Sequence, residues 1–115
     1  SAPRELALLR IAAAGIPLPA TLVAAEDVSR GKPAPDCFRL AAERLGVDAR
    51  DCLVFEDAPA GIAAAEAAGA TVMVISATHQ HPLQTPHAAI TGYDGLDITV
   101  DERGWIVLGA ERAAA

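Results

Sequence analysis

Aromatic side chains make up only 3% of these 115 residues: Phe38, Phe55, Tyr93 and Trp105. A core this poor in rings has to be filled by small and branched side chains, and 27 alanines supply the small ones. Alanine-faced helices lying close on a sheet meet that need. Lysine is scarcer still, with Lys32 the single example beside eight arginines. Acidic residues outnumber basic ones 15 to 9, and the net charge of −6 argues against nucleic acid and anionic membranes as partners. Two cysteines, Cys37 and Cys52, are too few for a secreted disulfide framework, so a reducing, cytoplasmic setting is expected. No uninterrupted apolar run approaches the roughly 18 residues of a membrane span. A signal-peptide pattern is equally unrecognisable in these residues. With 52% hydrophobic residues the chain can bury a core, and its length is that of one domain.

Apolar residues at Leu6, Leu9 and Ala13, with Leu8 and Ile11 beside them, recur at helical spacing over residues 3–14, and Gly15 supplies the stop. Residues 21–24 form a short β-prone stretch. Residues 29–36, Ser-Arg-Gly-Lys-Pro-Ala-Pro-Asp, have loop chemistry and feed a helix with Pro35 and Asp36 in its first turn. That helix carries Phe38, Ala41, Ala42 and Leu45 on one face and ends at Gly46. Residues 52–55 are a continuous apolar run, residues 60–68 an alanine-rich helix stopped by Gly69, and residues 71–75 a second apolar strand. Strands apolar on both faces and alternating with helices predict an α/β fold, a Rossmann-like parallel sheet with flanking helices. Residues 88–91 suit a last short strand. Residues 98–100 and 105–108, around Asp101-Glu-Arg-Gly104, predict a C-terminal β-hairpin, with residues 113–115 as a frayed end.

In an open α/β sheet, functional groups gather where strands give way to helices at their carboxyl ends. Glu56 and Asp57 hold such a place directly after Leu53-Val54-Phe55. Adjacent carboxylates repel, and a hard cation such as Mg²⁺ gives them a reason to sit together. Ala58-Pro59-Ala60-Gly61 keeps bulk away from that mouth, and the helix N-terminus beyond favours anions. The plainer alternative makes Asp57 a helix cap and Glu56 a solvated carboxylate. Lys32, between Gly31 and the constraining Pro33, can deliver a compact positive charge to a phosphate, or it can be an ordinary turn lysine. If the cation and the acid pair share one sheet edge, together they can hold a phosphate and its metal. His79, His81 and His87 look like a metal cluster without supporting partners. Cys37 sits in a helix first turn with no recognisable base, and Cys52, Tyr93 and Trp105 read as packing.

Two segments carry a family resemblance. Gly31-Lys32-Pro33-Ala34-Pro35-Asp36 and Glu56-Asp57-Ala58-Pro59-Ala60-Gly61, about two dozen residues apart, resemble the haloacid dehalogenase-like hydrolases, in the branch of sugar and hexitol phosphatases. β-Phosphoglucomutase shares both motifs. The resemblance implies Mg²⁺-dependent hydrolysis of a small sugar or polyol phosphate through an aspartyl-phosphate, with Lys32 as the phosphate-binding catalytic lysine. It further implies Asp57 as the metal-binding acid, Glu56 beside it as a second ligand, and Ser1 against the substrate phosphate.

The family's nucleophile lies in an Asp-x-Asp sequence, and these residues contain none. The chain begins at Ser1, and its single methionine is Met73. The expectation is therefore a C-terminal part of the core, residues 1–115, without the strand that bears the nucleophile or the inserted cap, and inactive alone. In the family, two further strands lie between the segments matching residues 21–24 and 52–55, so unpaired strand edges and low stability are expected. A mutase-like phosphotransferase uses the same motifs. A phosphoacceptor receiver domain also uses acids, Mg²⁺ and a lysine, but it presents the acids first; here Lys32 precedes Glu56 and Asp57. A non-catalytic remnant that packs on a partner is the third alternative.

Overall fold

A computed structural model of the chain describes residues 2–110. Helix α1 (Arg4–Ala13) is followed by an extended stretch and a 3₁₀ turn (Ala25–Asp27), then helix α2 (Asp36–Leu45) and a second 3₁₀ turn (Ala49–Asp51). Strand β1 (Leu53–Glu56), helix α3 (Pro59–Ala68) and strand β2 (Thr71–Ile75) form a βαβ unit, and a third strand, β3 (Ala88–Ile90), completes the sheet. Both pairings, β1 with β2 and β2 with β3, are parallel, in the order β1-β2-β3. Strands β4 (Leu96–Val100) and β5 (Ile106–Ala110) form a separate antiparallel hairpin with Val100 opposite Ile106. The predicted architecture is the one found.

Local chemistry explains the helix limits. Proline opens α3, where a missing N–H costs nothing, and Gly46 and Gly69 end α2 and α3 with φ of +72° and +83°. Asp36 opens α2 while its carboxylate accepts from Arg30 at 2.8 and 3.2 Å. In the hairpin turn, Gly104 takes φ +82°, and Asp101 Oδ1 accepts from the Arg103 and Trp105 amides, both at 2.9 Å.

Alanine does the packing expected of it. Val54, Ile62, Ala65, Val72 and Val74 form the core, with Phe38, Ala70 and Leu83 against it. Ala64 and Ala65 of α3 are wholly inaccessible, which a larger side chain would prevent without moving the helix off the sheet.

One expectation needs correcting. Residues 21–24 are extended but join no ladder. Their backbone is held instead by arginine: Leu22 O accepts from Arg44 at 3.2 Å and from Arg4 at 3.4 Å. Arg4 also pairs with Asp27, whose carboxylate accepts from Ala24 N. A strand requires a neighbour, and none of the described strands reaches this stretch. For the same reason the apolar face of α1 buries nothing, and Leu9 remains 63% exposed. The outer edge of β1 likewise carries no partner among the described residues, as expected. Residues 113–115 lie outside the described ones.

Candidate active site

Strand β1 delivers Glu56 as its last residue and Asp57 as the first residue beyond the ladder, at the carboxyl end of the parallel sheet. The loop before α2 delivers Lys32 to the same place. Lys32 Nζ donates to Glu56 Oε2 at 2.7 Å, and both side chains are largely shielded, at 26% and 10% exposure. The Lys32 ammonium also lies 5.1 Å from the centre of the Phe38 ring, within cation–π range. The peptide bond joining Lys32 to Pro33 is cis. A concavity of about 500 Å³ is lined by Gly31, Lys32, Glu56, Asp57, Ala58, Ala60 and Gly61. The lone lysine and the acid pair therefore meet.

Glu56 is not a solvated carboxylate. Its Oε1 accepts from the Asp57 and Ala58 amides at 3.1 and 3.3 Å while Oε2 holds the lysine. To reach these partners it lies across the first turn of α3, where only a glycine leaves room. A Cβ on Gly61 would fall 2.0 Å from Glu56 Cδ and 2.2 Å from Oε2. Glycine is required here for close approach, and φ plays no part.

Asp57 does not cap α3: the residue at the cap is Ala58, without a side-chain bond. Its carboxylate is exposed, and Oδ2 accepts from Thr78 Oγ1 at 3.0 Å. The Asp57 carbonyl accepts from His79 Nε2 at 2.6 Å. The Thr78 hydroxyl, as the largest cause, holds the Asp57 carboxyl below the ordinary carboxylate range.

Neither Thr78 nor the contact of His79 with Asp57 was read from the sequence. One signal was available: residues 76–79 leave the carboxyl end of β2, and neighbouring parallel strands bring their exit loops together. The histidines do not gather. His87 Nε2 pairs with Glu66 Oε1 at 2.7 Å, His79 binds the Asp57 carbonyl, and His81 is exposed. Among the described residues no group of three or more His, Cys, Asp or Glu side chains is placed to hold a metal. Cys37 and Cys52 are free thiols, and burial is the largest cause raising the Cys52 pKa. Tyr93 packs on Phe55 with ring centres 5.6 Å apart. Ser1 lies outside the described residues.

Known proteins are similar to this chain in sequence and fold. Hexitol phosphatase A of Escherichia coli is 36% identical over 96 residues, which is 83% of this chain and 44% of that protein. A haloacid dehalogenase family hydrolase from Deinococcus radiodurans, solved with bound phosphate and sodium, superposes with a TM-score of 0.62 at 35% identity, over 69% of this chain and 35% of that one. A β-phosphoglucomutase-like structure from Thermotoga maritima gives a TM-score of 0.59 at 27% identity, over 76% and 43%. The chain thus spans less than half the length of each of these relatives. The family model for haloacid dehalogenase-like hydrolases matches residues 1–69, a stretch that includes Lys32, Glu56, Asp57 and Gly61. On that match the chain belongs to the haloacid dehalogenase-like hydrolases, the superfamily whose sugar and hexitol phosphatases its sequence resembles.

Proposed function

We propose that the intact protein is a Mg²⁺-dependent phosphatase of small sugar or sugar-alcohol phosphates working through an aspartyl-phosphate. Residues 1–115 are, on this reading, the C-terminal part of its core. The observation that carries the proposal is the seat of Lys32, 2.7 Å from Glu56, on a concavity that Asp57 also lines. Similarity to hexitol phosphatase A supports the substrate class. The free thiols suit a cytoplasmic setting.

Phosphoryl transfer asks a protein mainly for positioning and for positive charge against the phosphoryl oxygens. Lys32 supplies that charge, and Glu56 with Phe38 keeps its flexible stem from wandering. The two carboxylates differ as metal donors. Glu56 has both oxygens engaged, whereas among the described residues Asp57 receives a single hydroxyl, on Oδ2. Mg²⁺ takes hard oxygen ligands, commonly one or two carboxylates with water and phosphate filling the shell. The donor set therefore fits Mg²⁺ with Asp57 as its ligand, and Glu56 is assigned to holding Lys32. Bound Mg²⁺ would supply a second positive charge toward the phosphoryl group. No Asp-x-Asp sequence is present, so the 115-residue chain alone is expected to be inactive.

A phosphate-release panel on the full-length protein tests this. Release from hexose or hexitol phosphates that stops on chelation of Mg²⁺ is expected; no release from any sugar or polyol phosphate would refute the proposal. Turnover by the 115-residue chain, with contaminants excluded, would refute its inactivity. The likeness to the T. maritima structure favours mutase-like transfer as the second reading, recognised by an isomerised sugar phosphate in place of free phosphate.

Gly61→Ala probes Glu56 without touching either reacting group. Alanine favours a helix by up to about 1 kcal/mol over glycine, so α3 survives while its Cβ evicts Glu56. A thermal midpoint within a few degrees of wild type, with turnover lowered about tenfold (about 1.4 kcal/mol in the barrier), is expected. Unchanged turnover would mean that Lys32 needs no such support.

A further inference from the structure

We propose that Thr78 and His79, in the loop after β2, are positioning residues for Asp57. The inference rests on the reading of Asp57 as the Mg²⁺ ligand. Asp57 is exposed, stands outside the β1 ladder and caps no helix, so its own segment leaves the side chain free to turn. Two contacts from the neighbouring strand's exit loop remove that freedom, and they act on different parts of the residue. Thr78 Oγ1 donates to Oδ2 at 3.0 Å and sets the rotation of the carboxylate. His79 Nε2 donates to the backbone carbonyl at 2.6 Å and sets the peptide plane from which the side chain springs. A carboxylate held through one oxygen presents the other, Oδ1, to a cation.

The holding arm is itself anchored. Ser76 N donates to Ile90 O at 2.9 Å, and His79 N donates to Ser76 O at 3.0 Å, so the loop is pinned to β3 and closed on itself. The register explains why residues 21 apart in sequence meet: Glu56 lies opposite Val74, and both strands leave the sheet on the same side.

The test is Mg²⁺ affinity by isothermal titration calorimetry on the full-length protein, for wild type and for Thr78→Val, Thr78→Ser, His79→Phe and Asp57→Asn. Groups that orient a metal ligand are worth about ten- to a hundredfold in affinity. Thr78→Val and His79→Phe are each expected to weaken Mg²⁺ by about that factor, with inorganic phosphate binding in the absence of Mg²⁺ unchanged. Thr78→Ser, which keeps the hydroxyl, is expected to bind about as wild type does. If Thr78→Val binds Mg²⁺ like wild type while Asp57→Asn loses it, the positioning role is wrong and the metal assignment stands. If Thr78→Ser falls as far as Thr78→Val, bulk rather than the hydroxyl matters, and the role is again wrong. If Asp57→Asn retains full affinity, the metal assignment beneath the proposal fails.

Discussion

Replacing Lys32 by alanine in the full-length protein is expected to lower kcat about a hundred- to a thousandfold, the loss typical of removing one preorganised charge or donor aimed at a transition state. The lysine has no equal nearby. It is the chain's only lysine, and among the described residues it is the one basic side chain lining the concavity. Folding should suffer less than turnover. Removing the ammonium leaves Glu56 without its counter-ion at 10% exposure, but two backbone amides still donate to Oε1. Losing one partner of a fully buried pair costs about 3–5 kcal/mol, and this pair keeps some contact with water, so the penalty lies below that range. Lys32→Arg separates charge from shape: a planar guanidinium keeps the charge but cannot enter the seat between Glu56 and Phe38 as a compact ammonium does. It should fall between wild type and alanine. Phosphate-release rates with a parallel thermal melt decide the matter, and an alanine variant within threefold of wild type would remove Lys32 from the mechanism.

Asp57→Asn is expected to raise the Mg²⁺ concentration for half-maximal rate at least a hundredfold, with the fold untouched. The carboxylate is exposed and sits in no core contact, and the asparagine carbonyl can still accept from Thr78. What disappears is the negative charge, the property a hard cation selects. A Mg²⁺ titration of the rate is the measurement. A variant that unfolds at room temperature, or one with unaltered Mg²⁺ dependence, would show that Asp57 serves structure or nothing at this site. The contrast with Lys32 is diagnostic: excess Mg²⁺ should partly restore Asp57→Asn and leave Lys32→Ala as it was.

Much of the frame is written locally. Apolar runs at residues 52–55 and 71–75 became β1 and β2, because a strand buried on both faces needs nothing but continuous apolar character. Gly15, Gly46 and Gly69 end their helices with positive φ, a backbone property of single residues. Residues 21–24 show where local reading stops: β-prone composition cannot supply the neighbouring strand that a ladder requires, and arginines hold that backbone instead. The helical spacing in α1 was equally visible, whereas only the structure shows that its apolar face buries nothing.

The same division runs through the site. Residue type and flanking Gly31 and Pro33 mark Lys32 in the sequence, and a place at a strand's end marks Glu56 and Asp57, along with the kinship of the chain. Their division of labour belongs to the tertiary structure. Glu56 is bound to the lysine and to two amides, Gly61 matters as empty space beneath a side chain, and Thr78 with His79 reaches Asp57 from the next strand. Helix and strand follow from neighbours in the chain, whereas who touches whom across 21 to 24 residues follows from sheet register and side-chain rotamers, which exist only once the chain has closed on itself.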